Sequence, residues 1–345
     1  MSKKKIGIIG IAGEGARFAT GQAVKCRTLL KWFQERYGED QVWLANIDSA
    51  KKYPIRVLRN MLHALRDCEN IVFMPGQNTE VFAPVLRLLN APFRRKVQYI
   101  VTGGDLAEVI KRHPSLRAPI AGFDGTHVQA IRLRDELRQM GIPRAEYLPN
   151  FRDYTPAVPV DHWAQEPLRV CTYSRVTKEK GILDAIEICK KANALLGRKV
   201  FVLEVYGKLY DAFEGEFRAA LAENEGLVSY QGVKKMEETA AVLRGCFAIL
   251  FPTYFECECF AGTALDAFAA RIPIIANDWL YNDEAIRSGK DGFIYPFRDN
   301  DAAAAQLVRL YENKALYAAI QEGCEESMRR FSTENVMGEF SKRLS

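Results

Sequence analysis

The feature that most constrains this chain is a repeated alternation. Short apolar, β-branched runs are separated by longer segments whose apolar residues recur at helical spacing. Ile6–Ile11, Gln41–Ile47, Asn70–Met74 and Val97–Thr102 read as strands. Thr20–Tyr37, Pro54–Leu65 and Glu80–Leu89 between them read as helices. A second series runs strand Leu168–Tyr173, helix Ile182–Leu196, strand Lys199–Tyr206, helix Glu214–Asn224, strand Val228–Gln231, helix Glu237–Arg244, strand Ala248–Phe251, helix Thr263–Ala270 and strand Ile274–Ala276. Strands joined through helices cannot form tight hairpins, so the pattern dictates βαβ units and parallel sheets covered on both faces. The stretch 148–167 (LPNFRDYTPAVPVDHWAQEP) holds four prolines and little periodicity, and is the best linker. The expected fold class is therefore α/β, with two Rossmann-like doubly wound parallel-sheet domains facing each other across a cleft. The first spans residues 1–155 and the second 156–345, with the last helix packing back on the first. Open sheets of this kind bind ligands outside the carboxyl ends of their strands.

Composition removes several classes. With 345 residues, two cores are affordable, and 26% charged with 48% apolar residues is not the balance of a disordered chain. No run reaches the ~18 apolar residues of a membrane span. The N-terminus MSKKKIGIIGIAGEG is basic and then apolar, but its glycines and Glu14 fit a first strand better than a signal peptide, so a cytoplasmic protein is expected. Eight cysteines are too dilute for a disulfide scaffold; most sit in apolar runs and read as buried small hydrophobes. Cys257 and Cys259 form a C-x-C pair without a second pair or a nearby histidine, which argues against zinc. The charge is asymmetric. Residues 1–160 hold 25 Lys+Arg against 15 Asp+Glu, and residues 161–345 hold 23 against 28. A basic half suits an anionic partner such as a phosphorylated substrate or a membrane surface. The chain lacks an aromatic RNA-stacking motif and a helix-turn-helix pattern, so nucleic acid is not expected.

Three segments carry chemistry. In FPTYFECECFAGTALDAFAARIPIIA (251–276), a strand ends at Phe251, and Gly262 and Thr263 open a helix that Arg271-Ile-Pro273 closes. Glu258 lies in the loop just ahead of that helix and Asp266 one turn into it. The amides of Phe260, Ala261 and Gly262 fall near a helix N-terminus, an anion site. Carboxylates beside it are placed to accept hydrogen bonds from sugar or ribose hydroxyls. Taken alone, Asp266 is equally a first-turn acid complementing the helix dipole. The second segment, Ser174-Arg-Val-Thr-Lys-Glu-Lys-Gly181, follows a strand directly. There Arg175 and Lys180 offer a guanidinium fork and a point-charge ammonium to a diphosphate, whereas Lys178 reads as solvated. The third is the first βα loop, Gly10–Gly21. Gly13, Gly15 and Gly21 allow close backbone approach, but Phe18 stands where G-x-G-x-x-G needs its last glycine. Asp48, ending the second strand, is where a ribose-binding acid would sit in a dinucleotide-binding domain.

These residues resemble the retaining, metal-independent glycosyltransferases of family 4, which have the GT-B fold. Ser174–Gly181 is similar to the family's Gly-Arg-x(4)-Lys-Gly element. Glu258-x(7)-Asp266 is similar to its E-x(7)-E element, and Pro273–Ala276 to the strand that follows. A bacterial subgroup with an E-G-E-G-F loop and a D-W-x-Y-N segment is similar to Glu256-Cys-Glu258-Cys-Phe260 and Asp278-Trp-Leu-Tyr-Asn282. Its N-G-Q-x-V-K-x-R element resembles Thr20-Gly-Gln-Ala-Val-Lys25-Cys-Arg27. The resemblance implies that Arg175 and Lys180 bind the donor diphosphate and stabilise the leaving group. Glu258 would hold donor-sugar hydroxyls and Asp266 the ribose. Gly21 and Gln22 would face the donor phosphates across the cleft, and Gly207 and Val233 would border the base. It also implies a UDP- or GDP-linked sugar as co-substrate, no cofactor and no metal. The acceptor would be a saccharide, lipid-linked and destined for a surface polysaccharide, on a protein peripheral to the inner face of the membrane.

The departures are Cys257 and Cys259 for loop glycines, Ser174 for a glycine, and Arg271 for the glycine before x-Pro. Cβ atoms at 257 and 259 crowd the loop, so either the loop tolerates them or donor binding is altered. Asp105 and His127, near the ends of strands in the first half, are acceptor-side candidates. Asp299-Asn-Asp301 has the letters of a metal motif, but Asp301 reads as an N-cap of the helix Ala302–Tyr311. Lys51–Arg66 is basic and amphipathic. Ile55, Leu58, Leu62 and Leu65 form its apolar stripe, read either as a sheet-covering face or as contact with an anionic membrane. Two rival functions stand beside the transferase: a non-catalytic binding subunit of the same fold, and a nicotinamide-dependent oxidoreductase using Gly10–Gly15 and Asp48. Titration with NADH against a nucleoside diphosphate separates the latter.

Overall fold

The computed structural model describes residues 4–13, 21–164 and 166–344. They divide into two units, one running to Asp153 and resuming at Ser332, the other Tyr154–Phe331. Each is built on a parallel sheet of six strands.

The first unit holds β1 (Lys4–Gly10), β2 (Val42–Asn46), β3 (Cys68–Met74), β4 (Lys96–Ile100), β5 (Gly125–Val128) and β6 (Ala145–Tyr147), in the order β2-β1-β3-β4-β5-β6. Its core packs Ile6, Ile8, Leu29, Phe33 and Val72 against Val336, Met337 and Phe340 of the helix Thr333–Ser341. The chain's last helix is thus part of this unit. The second unit holds β7 (Leu168–Tyr173), β8 (Phe201–Tyr206), β9 (Val228–Gly232), β10 (Ala248–Phe251), β11 (Ile274–Asn277) and β12 (Gly292–Tyr295), in the order β12-β11-β10-β7-β8-β9. At the centre of its core Phe247 stacks on Tyr317, ring centroids 4.7 Å apart, and the Tyr317 hydroxyl donates to the Phe247 carbonyl at 2.7 Å. Burial of such rings is the main stabilising term in both sheets.

In the second sheet the strand order reverses beside β7: β8 and β9 lie on one side and β10 on the other. Open sheets bind ligands at such a reversal, outside the carboxyl ends of the two central strands. The Ser174–Gly181 and Pro252–Ala261 segments leave from these two strands.

Two expectations are corrected here. Helix Asn300–Glu312 is capped by Asp299, whose carboxylate accepts from the Ala302 amide at 2.9 Å, while Asp301 sits in the first turn and pairs with Lys191. The cap lies two residues earlier because an Asx cap needs its carboxylate outside the helix. On helix Pro54–Asp67 the buried face is Val57, Met61, Ala64 and Leu65, whereas Ile55 is 82% and Leu58 40% exposed. Of the expected stripe only Leu65 is fully buried, because the helix is rotated to seat Val57 and Met61 on the sheet.

Candidate functional site

The loop after β7 turns at once. Ser174 donates its amide to the Tyr206 carbonyl at 3.2 Å, and Val176 donates to the Lys208 carbonyl at 2.8 Å, so the segment stays laced to the chain leaving β8. A short 3-10 turn, Lys178–Lys180, then drives Lys180 inward, leaving it 7% exposed. The turn closes at Gly181 with φ +67°, where a Cβ would stand 2.1 Å from the Pro252 carbonyl oxygen. Only glycine lets the two loops approach this closely.

The loop after β10 meets it there. Tyr254 donates its amide to the Glu179 carbonyl at 2.8 Å. Glu258, 8% exposed, forms an ion pair with Lys180 and accepts from the Thr253 hydroxyl at 3.0 Å. Phe255 stands between the cations, with the Arg175 guanidinium 4.6 Å from the ring centroid and the Lys180 ammonium 4.8 Å from it. The Phe255 carbonyl accepts from Trp279 Nε1–H at 2.9 Å and from the Glu258 amide at 3.0 Å, which fixes the ring and the acid together. Burial pushes the Lys180 pKa below the ordinary lysine value, and Arg175 adds to this while Glu258 opposes it. A second anion brought to Lys180 would relieve both pressures. Arg175 is itself exposed.

Arg175 and Lys180 thus share the Phe255 ring, and Glu258 is tied to the same residue through its amide and to Lys180 through the ion pair. Helix Gly262–Ala270 begins three residues beyond Cys259, with Ala261 at its N-cap. Thr263 donates its hydroxyl to the Tyr173 carbonyl at 2.9 Å, tying this helix to the end of β7. Asp266 is half-buried, and its charge reaches Tyr173: burial and then Asp266 raise the phenol pKa. Phe260 points into the core, edge-on to Phe331 at 4.7 Å. Gly207, with φ +134°, follows β8; a Cβ there would lie 1.7 Å from the Ser174 carbonyl oxygen. Tyr230 donates its hydroxyl to the Gly207 carbonyl at 2.8 Å, and Val233 nearby in sequence is 37% exposed. Lys178 reaches outward to Glu216 at 3.3 Å. Cys257 is half-buried and Cys259 buried, and all eight cysteines are free thiols. Arg271 takes φ +56° at the left-handed C-cap of helix Gly262–Ala270, a conformation that favours glycine, and its buried guanidinium pairs with Glu322 and Glu325. Phe255, Thr253 and Tyr173 were not singled out from the sequence. The signal was an aromatic and a hydroxyl within the strand-to-Glu258 loop, which carry no motif of their own.

In the first unit, Gly21 and Gln22 open the helix Gly21–Tyr37; Gln22 donates to the Met74 carbonyl at 3.2 Å and lies against Gly76. Gly15, with Glu14, Arg17, Phe18 and Thr20, lies outside the described residues. The Gly13 amide donates to Asp48 Oδ2 at 2.6 Å, so the acid that a dinucleotide ribose would need is engaged by the loop itself. Asp105 is half-buried at the N-cap of helix Leu106–Arg112. His127 lies on β5, 1% exposed, hydrogen-bonded to Gln98 at 2.7 Å and edge-on to Phe340. It is enclosed in the core, and desolvation pushes its pKa down to about 3. Among the described residues no cluster of three or more His, Cys, Asp or Glu is placed to hold a metal, and no helix is long and apolar enough to cross a membrane.

Known proteins bear on this geometry. Residues 159–326 match the family model of the glycosyl transferases group 1. The amylovoran biosynthesis glycosyltransferase AmsK of Erwinia amylovora is 28% identical over 156 residues, 44% of this chain and 37% of that protein. The putative colanic acid biosynthesis glycosyltransferase WcaL of Salmonella typhimurium is 25% identical over 183 residues, 51% of this chain and 42% of that protein. The chain thus spans less than half the length of these curated relatives. Among solved structures, Anabaena HepE in complex with UDP-glucose has a TM-score of 0.74 at 13% identity, covering 98% of both chains. The lipopolysaccharide outer core galactosyltransferase WaaB has a TM-score of 0.70 at 15% identity, again covering 98% of both. These likenesses establish the fold as GT-B, two Rossmann-like sheets in one chain. By the family match, residues 159–326 are similar to the glycosyl transferases group 1.

Proposed function

We propose that the chain is a retaining glycosyltransferase. It moves a sugar from a UDP- or GDP-linked donor to a hydroxyl of a saccharide acceptor, lipid-linked, in polysaccharide synthesis. The carrying observation is the convergence of Arg175, Lys180 and Glu258 around Phe255 at the strand-order reversal of the second sheet. Matched relatives named for amylovoran and colanic acid biosynthesis, and a fold neighbour in complex with UDP-glucose, support the same reading.

The chemistry follows from charge. A nucleoside diphosphate leaving group develops negative charge as the glycosidic bond breaks, and fixed cations stabilise that charge without reorganising. Arg175 and Lys180 supply two such cations, so the reading needs no divalent ion. Lys180 is neutralised by Glu258 in the pair described here. A diphosphate competing for Lys180 frees a Glu258 oxygen to accept from sugar hydroxyls, which couples phosphate binding to sugar binding. Asp266 and Tyr173 are assigned to the ribose side, Gly207 and Val233 to the base, and the amides of Phe260, Ala261 and Gly262 to the donor. Gly21, Gln22 and Asp105 remain candidates in the first unit, whose basic character suits a phosphorylated acceptor.

The test is donor turnover by the full chain across a panel of UDP- and GDP-sugars. Arg175→Ala and Glu258→Ala should each lower kcat/KM by about a hundredfold or more, the scale of removing one charge-stabilising group. Nucleotide binding without turnover would mark a non-catalytic relative. Unchanged turnover in both variants would refute the site assignment.

A further inference from the structure

Three loops leave the second sheet side by side, because β10, β11 and β12 are neighbouring parallel strands and end at one edge. Each loop carries an aromatic residue close behind its strand: Tyr254 after β10, Trp279 after β11 and Phe297 after β12. Trp279 and Phe297 stack, with ring centroids 5.0 Å apart and planes inclined by 27°. The Arg298 guanidinium lies 5.2 Å from the Phe297 centroid and 5.4 Å from that of Tyr254, so it joins the first loop to the third. Phe297 still keeps 40% of its surface exposed. This aromatic patch touches the site described above through Trp279, whose Nε1–H donates to the Phe255 carbonyl at 2.9 Å. Phe297 and Arg298 have no part in that site.

The backbone is strained at both stacked rings. Leu280, directly after Trp279, takes φ +47°, and Arg298, directly after Phe297, takes φ +61°. Glycine adopts such values freely. A residue with a side chain holds them only where its surroundings over-determine them, and strain of this kind collects at ligand sites. The polar groups around the rings are left unpaired. Neither Arg298 nor the exposed Asp278 forms an ion pair or a side-chain hydrogen bond among the described residues, and the Tyr254 hydroxyl has no partner there either. A guanidinium brings donors and a carboxylate brings acceptors. Their opposite charges balance, so the pair does not select an anion. An exposed aromatic ring flanked by a free donor and a free acceptor matches a pyranose. One face of that ring is apolar C–H, and its hydroxyls both donate and accept.

We propose that Tyr254, Asp278, Trp279, Phe297 and Arg298 form a subsite for an uncharged saccharide, with a pyranose face on Phe297 and its hydroxyls on Arg298 and Asp278, and that the acceptor sugar occupies it. The role as acceptor subsite rests on the transferase reading, whereas saccharide binding is a property of the second unit alone.

The test is saturation-transfer NMR titration of the full chain with cellobiose, maltose and lactose, and with sorbitol, which offers hydroxyls without a ring face. At least one disaccharide should bind in the millimolar range, with transfer strongest to the C–H protons of one ring, and sorbitol should not bind. Phe297→Ala should weaken that binding about tenfold, the scale of one aromatic contact. Arg298→Gly should weaken it comparably while raising Tm, because glycine relieves the left-handed backbone. Stability gained as binding is lost separates a residue kept for a ligand from a structural one. UDP and GDP binding should be unchanged in both variants. Wild-type protein that binds none of the three disaccharides, sorbitol that binds as well as they do, or two variants that bind like wild type would each overturn the proposal. Nucleotide binding without disaccharide binding would remove this subsite and leave the donor site standing. Disaccharide binding by a chain that turns over no nucleotide sugar would keep the saccharide site and remove its acceptor role together with the transferase reading.

Discussion

At the scale of single residues, backbone approach and buried charge decide most. Gly207 and Gly181 hold positive φ, and a Cβ at either meets a carbonyl oxygen at 1.7 or 2.1 Å, so the backbones leaving β7, β8 and β10 must separate to admit one. Gly207→Ala should destabilise by about 2–4 kcal/mol or more in urea unfolding and weaken nucleotide binding in parallel. Among the described residues nothing lies within 4 Å of the position a Gly21 Cβ would occupy, so Gly21→Ala should be near neutral in stability; a nucleotide defect there without a stability cost would assign it a contact with ligand. The Lys180–Glu258 pair gives a second contrast. Lys180→Met strands a buried carboxylate and should cost about 3–5 kcal/mol, whereas Lys180→Met with Glu258→Leu should recover most of that loss, because both desolvation penalties vanish together. Recovery of stability without recovery of turnover is the expected signature of a pair kept for chemistry. Equal stability of the single and double variants would contradict it.

At the scale of elements, the alternation of strands and helices was legible wherever an element is long and sided, as in Ile182–Leu195 or Leu168–Tyr173. It failed between residues 103 and 147. There β5 and β6 are four and three residues long, and the helices between are short, so no periodicity develops over a window that size. The face of helix Pro54–Asp67 was misjudged because two apolar flanks compete on it, and packing on β1 to β3 rather than spacing chose Val57 and Met61. Within the site, Arg175, Lys180, Glu258 and Asp266 carry motif spacing. Phe255 does not, since its role comes from where two separate loops converge. Arg271 was legible only as a lost glycine; the structure supplies Glu322 and Glu325 for it on helix Lys314–Arg330, a long-range pairing that no local pattern encodes. His127 was expected near substrate, yet β5 is buried along its whole length, and a strand enclosed between helices carries its histidine inside. Its folded pKa of about 3 lies below the unfolded value of about 6.5. Above pH 6.5 both states are neutral there and nothing is lost. As pH falls below 6.5 the unfolded state gains a proton that the folded state refuses, so stability should drop by about 1.4 kcal/mol per pH unit from this group, until the folded histidine titrates near 3. His127→Gln should remove that part of the slope in urea titrations between pH 6.5 and 4; an unchanged slope would place the proton uptake elsewhere.

At the scale of the whole chain, charge and chemistry are divided between the units. The cations that answer a diphosphate, Arg175 and Lys180, sit in the half with the acidic excess, and the basic excess lies in the other half. Nonspecific attraction of anions to net charge would favour the first half; a built site favours the second. Calorimetry distinguishes these, because a ligand stabilises only the unit that binds it, by RT ln(1 + [L]/Kd), which reaches about 2.7 kcal/mol at a hundred times Kd. In a chain of two units, heat unfolding need not be a single step, so each transition can respond separately. UDP or GDP should raise the transition of the second unit by a few degrees, with the shift growing logarithmically with concentration and surviving moderate salt, since buried groups are screened less than surface ones. Arg175→Ala should abolish the shift while leaving both transitions of the nucleotide-free protein in place, because the arginine is exposed and its contact with Phe255 is a surface one. Tripolyphosphate offers charge without a nucleoside. If it moved the second transition as far as UDP does, the site would be a charge trap, and Asp266, Tyr173 and Gly207 would have no ribose or base to hold; a smaller, more salt-sensitive shift is the outcome that the arrangement of those three residues demands.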